Sequence, residues 1–151
     1  DAGSPGISDP GQRIASAVVE AGLRVESVPG PCALIAALSA SGLPTDHFYF
    51  LGFLPHKSGQ RKKTLTSALA CPGVVALYES PYRINKLLQE LRTLAPERSL
   101  VLAKELTKKF EEWFRGTPAE LIKKTGTRSL KGEFVVLIGP SKSTPPGINP
   151  D

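Results

Sequence analysis

The apolar run Val74 to Tyr78, followed at once by Ser80-Pro81 and then by Ile84, Leu87, Leu88 and Leu91, constrains this chain more than any other stretch. A short apolar run rich in β-branched residues reads as a buried strand, and apolar residues three and four apart read as one face of a helix. Ser80 supplies a cap, and Pro81 a first-turn residue whose missing N–H costs nothing there. A buried strand feeding directly into an amphipathic helix predicts an α/β fold, with helices covering the faces of a sheet.

The rest of the chain extends that pattern. Asp9-Pro10 reads as a helix start, and Ile14, Ala17, Val18 and Ala21 lie on one stripe until Gly22 ends it. Arg24 to Val28 reads as a short strand, and Pro29-Gly30-Pro31 as a tight turn into a helix from Cys32 to about Ser41. In that helix Leu34, Ile35 and Leu38 form the stripe, while Ala33, Ala36, Ala37 and Ala40 permit close packing. Gly42-Leu43-Pro44 stops it, and a hinge is predicted near Leu43 to Asp46. Beyond it come a strand over His47 to Phe53, a loop over Pro55 to Gly59, a helix over Gln60 to Ala70, and strands over Ser99 to Ala103, Phe110 to Arg115 and Glu133 to Ile138. Thr117-Pro118-Ala119-Glu120 is a capping box for a further helix. The predicted organisation is the C-terminal part of a first α/β domain over residues 1–44 and a second α/β domain with a mixed sheet over 45–139. A tail over 140–151 is too poor in apolar surface to offset the entropy of ordering it.

With 151 residues, 40% of them hydrophobic, the chain can bury a core. A charged fraction of 22% with 14 Gly and 14 Pro excludes a coiled coil or a low-complexity chain. The net charge of +5 favours an anionic partner such as nucleic acid. Cys32 and Cys71 sit in apolar surroundings without CxxC spacing, which predicts a reduced, cytoplasmic setting and no disulfide. No apolar run approaches the roughly 20 residues needed to cross a bilayer, so no membrane association is expected. Asp1-Ala2-Gly3 reads as a turn that normally follows a buried strand, which predicts a segment upstream of it.

The opening run Asp1 to Gly11 crowds three glycines, two serines and two aspartates at the expected carboxyl end of a strand. Glycines there let a ligand touch the backbone, and in open α/β sheets that end is where ligands bind. The alternative is a plain turn before a capped helix. The Gly-Lys-Ser/Thr end of a P-loop is absent, as is GxGxxG. His47 and His56 share no metal-ligand spacing with each other or with the cysteines, so no metal is expected. Glu79, Glu105 and Glu133 stand at predicted strand ends, where each is either a proton acceptor or half of a structural ion pair. Lys57, Arg61, Lys62 and Lys63, with Arg83, concentrate positive charge around a loop and a helix start, as phosphate contacts or as a solvated face. Lys104, Glu105, Thr107 and Lys108 cluster after a strand, to hold an RNA backbone or to organise a dimer. Trp113, Phe110 and Phe114 are expected to pack, not to stack on bases.

The segments DAGSPGISDPG, VPGPCALIAALSASGLPTDHFYFLGFLP, YESPYRI, AKELTKKFEEWFRGTPAEL and KGEFVVLIG occur in an order that resembles the ribosomal RNA small-subunit methyltransferase I family, a branch of the tetrapyrrole methylases. The resemblance implies a two-lobed fold with S-adenosylmethionine in the cleft, and 2′-O-methylation of a cytidine ribose in small-subunit (16S) ribosomal RNA by a homodimer. By position it implies that Asp1, Ala2, Gly3, Ser4, Pro5 and Ile7 form one cofactor-gripping turn, Gly30, Cys32 and Ala33 a second contact, and Tyr78 and Glu79 the cleft-facing strand end. Given that cleft, the strand-end carboxylates Glu79, Glu105 and Glu133 are the catalytic candidates, and RNA contact becomes the favoured reading of the cations Lys57, Arg61, Lys62, Lys63, Arg83 and Lys108. The chain departs from the family pattern in its N-terminal segment, in its C-terminal extension and at Cys32, where relatives often carry Ser. Incomplete activity and weak cofactor binding are therefore expected of these residues alone. Two rival readings are a methylase of a tetrapyrrole or precorrin and a noncatalytic RNA-binding or dimerisation module.

Overall fold

The computed structural model describes residues 3–126 and 130–141; Asp1, Ala2 and the predicted tail from residue 142 lie outside the described residues. In chain order the described elements are α1 (Gln12–Glu20), α2 (Ala33–Ser41), β1 (Phe48–Phe53), α3 (Ser58–Leu69), β2 (Val74–Glu79), α4 (Pro81–Leu94), β3 (Leu100–Lys104), β4 (Glu112–Gly116), α5 (Pro118–Thr125) and β5 (Phe134–Ile138). The strands form one mixed sheet in the order β1-β2-β5-β3-β4. β1 and β2 are parallel and joined through α3, while β5 is antiparallel to both β2 and β3, and β4 to β3. β1, β2 and β3 therefore run the same way, and their carboxyl ends share one edge with the starts of β4 and β5.

Alternation along the strands divides the core between two faces. Val75, Leu77, Leu100, Leu102, Val136 and Ile138 pack with Leu65 of α3, Ile84, Leu87, Leu88 and Leu91 of α4, and Leu121 of α5. Val74, Ala76, Val101, Ala103, Val135 and Leu137 point the other way and are covered by Leu34, Ala37 and Leu38 of α2. Ala37 is fully buried, so the small residues of α2 bring its axis close to the sheet. Arg115 holds the far end of α2, donating from Nη2 to the Ala40 carbonyl at 2.8 Å and from Nε to that of Ser41 at 3.3 Å. Its guanidinium stands 4.8 Å from the centroid of the Trp113 ring.

The capping box forms as expected: Thr117 Oγ1 accepts from the Glu120 amide, and Glu120 Oε2 accepts from the Thr117 amide at 2.7 Å. At α4 the expected stripe is buried, but the Ser80 hydroxyl makes no capping bond; its amide donates instead to Glu79 Oε1 at 2.9 Å.

Further expectations fail. The N-cap of α1 is Gly11, not Asp9, and α1 buries none of its residues. Arg24 to Val28 is not a strand, because no described strand lies beside it to accept its hydrogen bonds. Ile35 is half exposed, and the buried stripe of α2 runs Leu34, Ala37, Leu38, Ser41. Phe110 precedes β4 and is exposed near Lys109, whereas Phe114 packs in the core.

Candidate functional site

Two glycine-containing bends meet at the edge where β1, β2 and β3 end. The Ser4 amide donates to the Pro31 carbonyl at 2.9 Å, and the Ser4 hydroxyl donates to the Gly30 carbonyl at 3.2 Å. Gly3 has φ +103°, and a Cβ there would stand 2.6 Å from the Pro31 carbonyl oxygen. Only glycine permits both that backbone conformation and that approach. The first bend also reaches the sheet: a Cβ on Gly52 would lie 3.0 Å from Ser8 Oγ. Gly52 has φ +60° and sits where the β1–β2 register shifts, a bulge that re-aims the end of β1.

The second bend leads to Cys32, the N-cap of α2, which neighbours Tyr78 at the end of β2. Burial first, and Cys32 second, push the Tyr78 phenol above its ordinary pKa, so it stays protonated. Phe50 and Phe53 meet the Tyr78 ring edge-on at centroid distances of 5.0 and 5.7 Å. The result is a strip of carbonyls, hydroxyls and aromatic edges running from Ser4 through Gly30 and Cys32 to Tyr78, exposed at Gly30 and partly buried at Ser4, Cys32 and Tyr78. Gly3, Ser4, Gly30, Cys32 and Tyr78 are thus brought together; Pro5 and Ile7 lie on the first bend, and Ala33 opens α2. Gly52, Phe50 and Phe53 were not foreseen, although a glycine inside a strand pattern is a sign of close backbone approach.

Glu79 is not part of that strip. It follows Tyr78, so its side chain turns to the opposite face, where it is buried with Arg61. Its Oε2 accepts from Arg61 Nη1 at 2.9 Å and its Oε1 pairs with Arg83 Nε at 3.2 Å. Arg61 is 1% exposed and donates from Nε to Glu90 Oε2 at 2.8 Å, while its Nη2 has no partner among the described residues. The reading of Arg61 as an RNA contact is corrected accordingly: its charge is enclosed and matched by two carboxylates. Arg83 is also committed, donating from Nη2 to the carbonyls of Leu54 at 2.8 Å and Pro55 at 3.3 Å, which fastens the loop after β1. Lys57, Lys62 and Lys63 are exposed.

Glu105 and Glu133 stand together farther along the same edge. The Glu105 amide donates to the Glu133 carbonyl at 2.9 Å, and Glu105 Oε1 accepts from the Glu133 amide at 2.8 Å. Lys108 Nζ bridges Glu105 at 3.0 Å and Glu133 at 2.9 Å. That amide, and then Lys108, hold the Glu105 carboxyl below its ordinary range, which makes it a weaker proton acceptor. Hydrogen bonds to Glu133 and then Glu105 raise Lys108 in turn. Glu105 and Thr107 take left-handed φ values of 50° and 63°, uncommon for residues with a side chain, so the β3–β4 loop is held in a strained form. Among the described residues no group of three or more His, Cys, Asp or Glu is placed to hold a metal ion, and no helix is long and apolar enough to cross a membrane.

The family model for Tetrapyrrole (Corrin/Porphyrin) Methylases matches residues 1–122, which include both bends and the strand that ends at Tyr78. The chain belongs to the tetrapyrrole methylases. Within that family it is 47% identical over 139 residues to Ribosomal RNA small subunit methyltransferase I of Synechocystis sp., an overlap covering 91% of this chain and 50% of that protein. Two solved structures of tetrapyrrole methylase fold are similar. The methyltransferase CobJ superposes with TM-score 0.68 at 22% identity over 96% of this chain and 64% of that one. Uroporphyrin-III C-methyltransferase from Thermus thermophilus, complexed with S-adenyl homocysteine, superposes with TM-score 0.59 at 18% identity over 91% of this chain and 62% of that one. The chain spans about half the length of the curated relatives it matches.

Proposed function

We propose that this chain forms the cofactor-gripping wall and the second α/β layer of an S-adenosylmethionine-dependent ribosomal RNA methyltransferase, acting as a homodimer on a cytidine ribose 2′-hydroxyl of the small subunit. The observation that carries this reading is the contact of the Gly3–Ser4 bend with Gly30–Pro31 beside Cys32 and Tyr78. The strip fits the cofactor: backbone carbonyls and hydroxyls suit a ligand that presents an ammonium, a sulfonium and ribose hydroxyls, and Gly3 lets the two bends that carry them meet. Bound there, S-adenosylmethionine supplies a methyl group on a positively charged sulfur. The chain's own task is alignment, and positioning contributes about 7–11 kcal/mol in reactions of this kind. Ser4 and the second bend hold the donor side, while Tyr78, Phe50 and Phe53 exclude water from it. Glu133, its side chain 85% exposed and paired among the described residues with Lys108 alone, is the carboxylate of the three with the fewest partners, and we assign it the ribose proton. The high identity to proteins named as ribosomal RNA methyltransferases supports RNA over a tetrapyrrole as substrate.

The test uses purified protein of the relatives' full length that carries this chain. Labelled S-adenosylmethionine is supplied with small-subunit ribosomal RNA, and the methylated nucleotide is mapped. Label on a cytidine ribose, lost in Gly3→Val and Glu133→Gln, is the expected result. Label on a base or on a macrocycle instead of ribose, or full activity in Gly3→Val, sinks the reading.

A further inference from the structure

β1 is an edge strand, and its unpaired side opens onto a groove of about 650 Å³ that shares Phe50 with the candidate cofactor strip and otherwise lies apart from it. Phe48, Tyr49, Lys63, Ser67 and Cys71 help to line it, and no carboxylate does. Phe48 and Tyr49 are 40% and 37% exposed, large aromatic surfaces for a strand of the sheet. The whole stretch from His47 to Tyr78 contains no Asp or Glu, while Lys57, Lys62 and Lys63 are exposed at the N-cap and along the first turns of α3. The one other cation of that stretch, Arg61, is internally neutralised by Glu79 and Glu90, so the exposed lysines are what a ligand meets. Aromatic faces beside lysines are the two ingredients of single-strand nucleic-acid binding, stacking for the bases and cations for the phosphates, and the carboxylate just ahead of β1, Asp46, is paired with His47.

We propose that the groove between β1 and α3 is a docking surface for single-stranded RNA, in which a base stacks on Tyr49 and Lys63 and Lys62 meet the flanking phosphates. The proposal rests on the ribosomal RNA reading above and adds to it a contact surface built from the opposite end of β1 to Phe53. A base-paired segment cannot present an unstacked face to Tyr49, so the groove prefers unpaired RNA.

Two thiols report on the two regions without any substitution: Cys71 lines the groove, and Cys32 lies at the second bend. In the chain as it stands, oligouridine slows maleimide modification of Cys71 and leaves Cys32 unchanged, and duplex RNA of equal length protects Cys71 less. Lys63→Gln, a change on an exposed helix position, lowers the salt slope of oligouridine binding by about 0.7, the value for one phosphate contact on a single strand. Tyr49→Leu, which keeps an apolar residue on the strand, weakens binding about 5- to 150-fold, the loss of one stacked base. The proposal is overturned if Cys71 reacts at the same rate with and without RNA, or if neither variant changes affinity or salt slope. It is also overturned if Cys71 is shielded in an RNA-free dimer that Tyr49→Lys dissociates, because a second copy of the chain then covers this edge. Failure of the methyl-transfer reading is a separate outcome: Cys71 protection by RNA persists while the full-length protein methylates no ribose.

Discussion

Residues 3–32 and the sheet with its helices are built on different terms. α1 buries none of its residues, and Ile14, Val19, Leu23 and Val28 are largely exposed, while β5 buries all of its own. The first region is placed by a few backbone bonds, such as Ser4 to Pro31, and by glycines that allow close approach. The second is placed by apolar area. The candidate site lies where the two regions touch, so its geometry depends on contacts that contribute little to global stability.

Breaking the scaffold tests that contrast most severely. Arg61→Ala leaves Glu79 buried with Arg83 as its remaining partner and should cost about 3–5 kcal/mol in chemical denaturation. A cost within 1 kcal/mol would mean that the enclosed ion pairs are not held as described. Leu102→Ala, at a fully buried position between α4 and β4, should cost roughly 2–5 kcal/mol. Thr117→Ala removes a cap whose bonds are all local and should cost about 1 kcal/mol. Its Glu120 partner adds a pH signature. The Thr117 amide first, and the Thr117 hydroxyl next, lower the Glu120 pKa, so the carboxylate favours the fold. That contribution is present above the ordinary carboxylate value and is lost as pH falls through the lowered one, so the gap between Thr117→Ala and the parent should narrow in acid. Ile14→Ser should change stability by less than about 0.5 kcal/mol, since nothing described packs on it; a larger loss would show that α1 is covered.

What could be read from the residues follows the same division. The β2–α4 unit was legible because an apolar run, a proline-led first turn and a helical stripe all agree, and the Thr117–Glu120 box because its spacing is itself the mechanism. Ile14 and the Arg24 to Val28 segment misled because a pattern shows which face is apolar, not whether another element covers it. Arg61 reads with Lys62 and Lys63 because the three look alike in a row, while the carboxylates that enclose it lie 18 and 29 positions away. Of the candidate site, the two bends were legible as glycine-rich turns, and their meeting was implied by resemblance. The bulge at Gly52 and the separation of Tyr78 from Glu79 needed the register of β1 against β2.

That last pair of neighbours carries a consequence for any change in the length of β2. Tyr78 faces the candidate site and Glu79 the sealed side only because one residue separates them. Deleting a single residue from the strand would exchange their places, driving a phenol among the leucines and turning a carboxylate toward the two bends. Point changes in β2 are therefore far safer than indels, and the strand's length matters to the candidate site as much as any side chain on it.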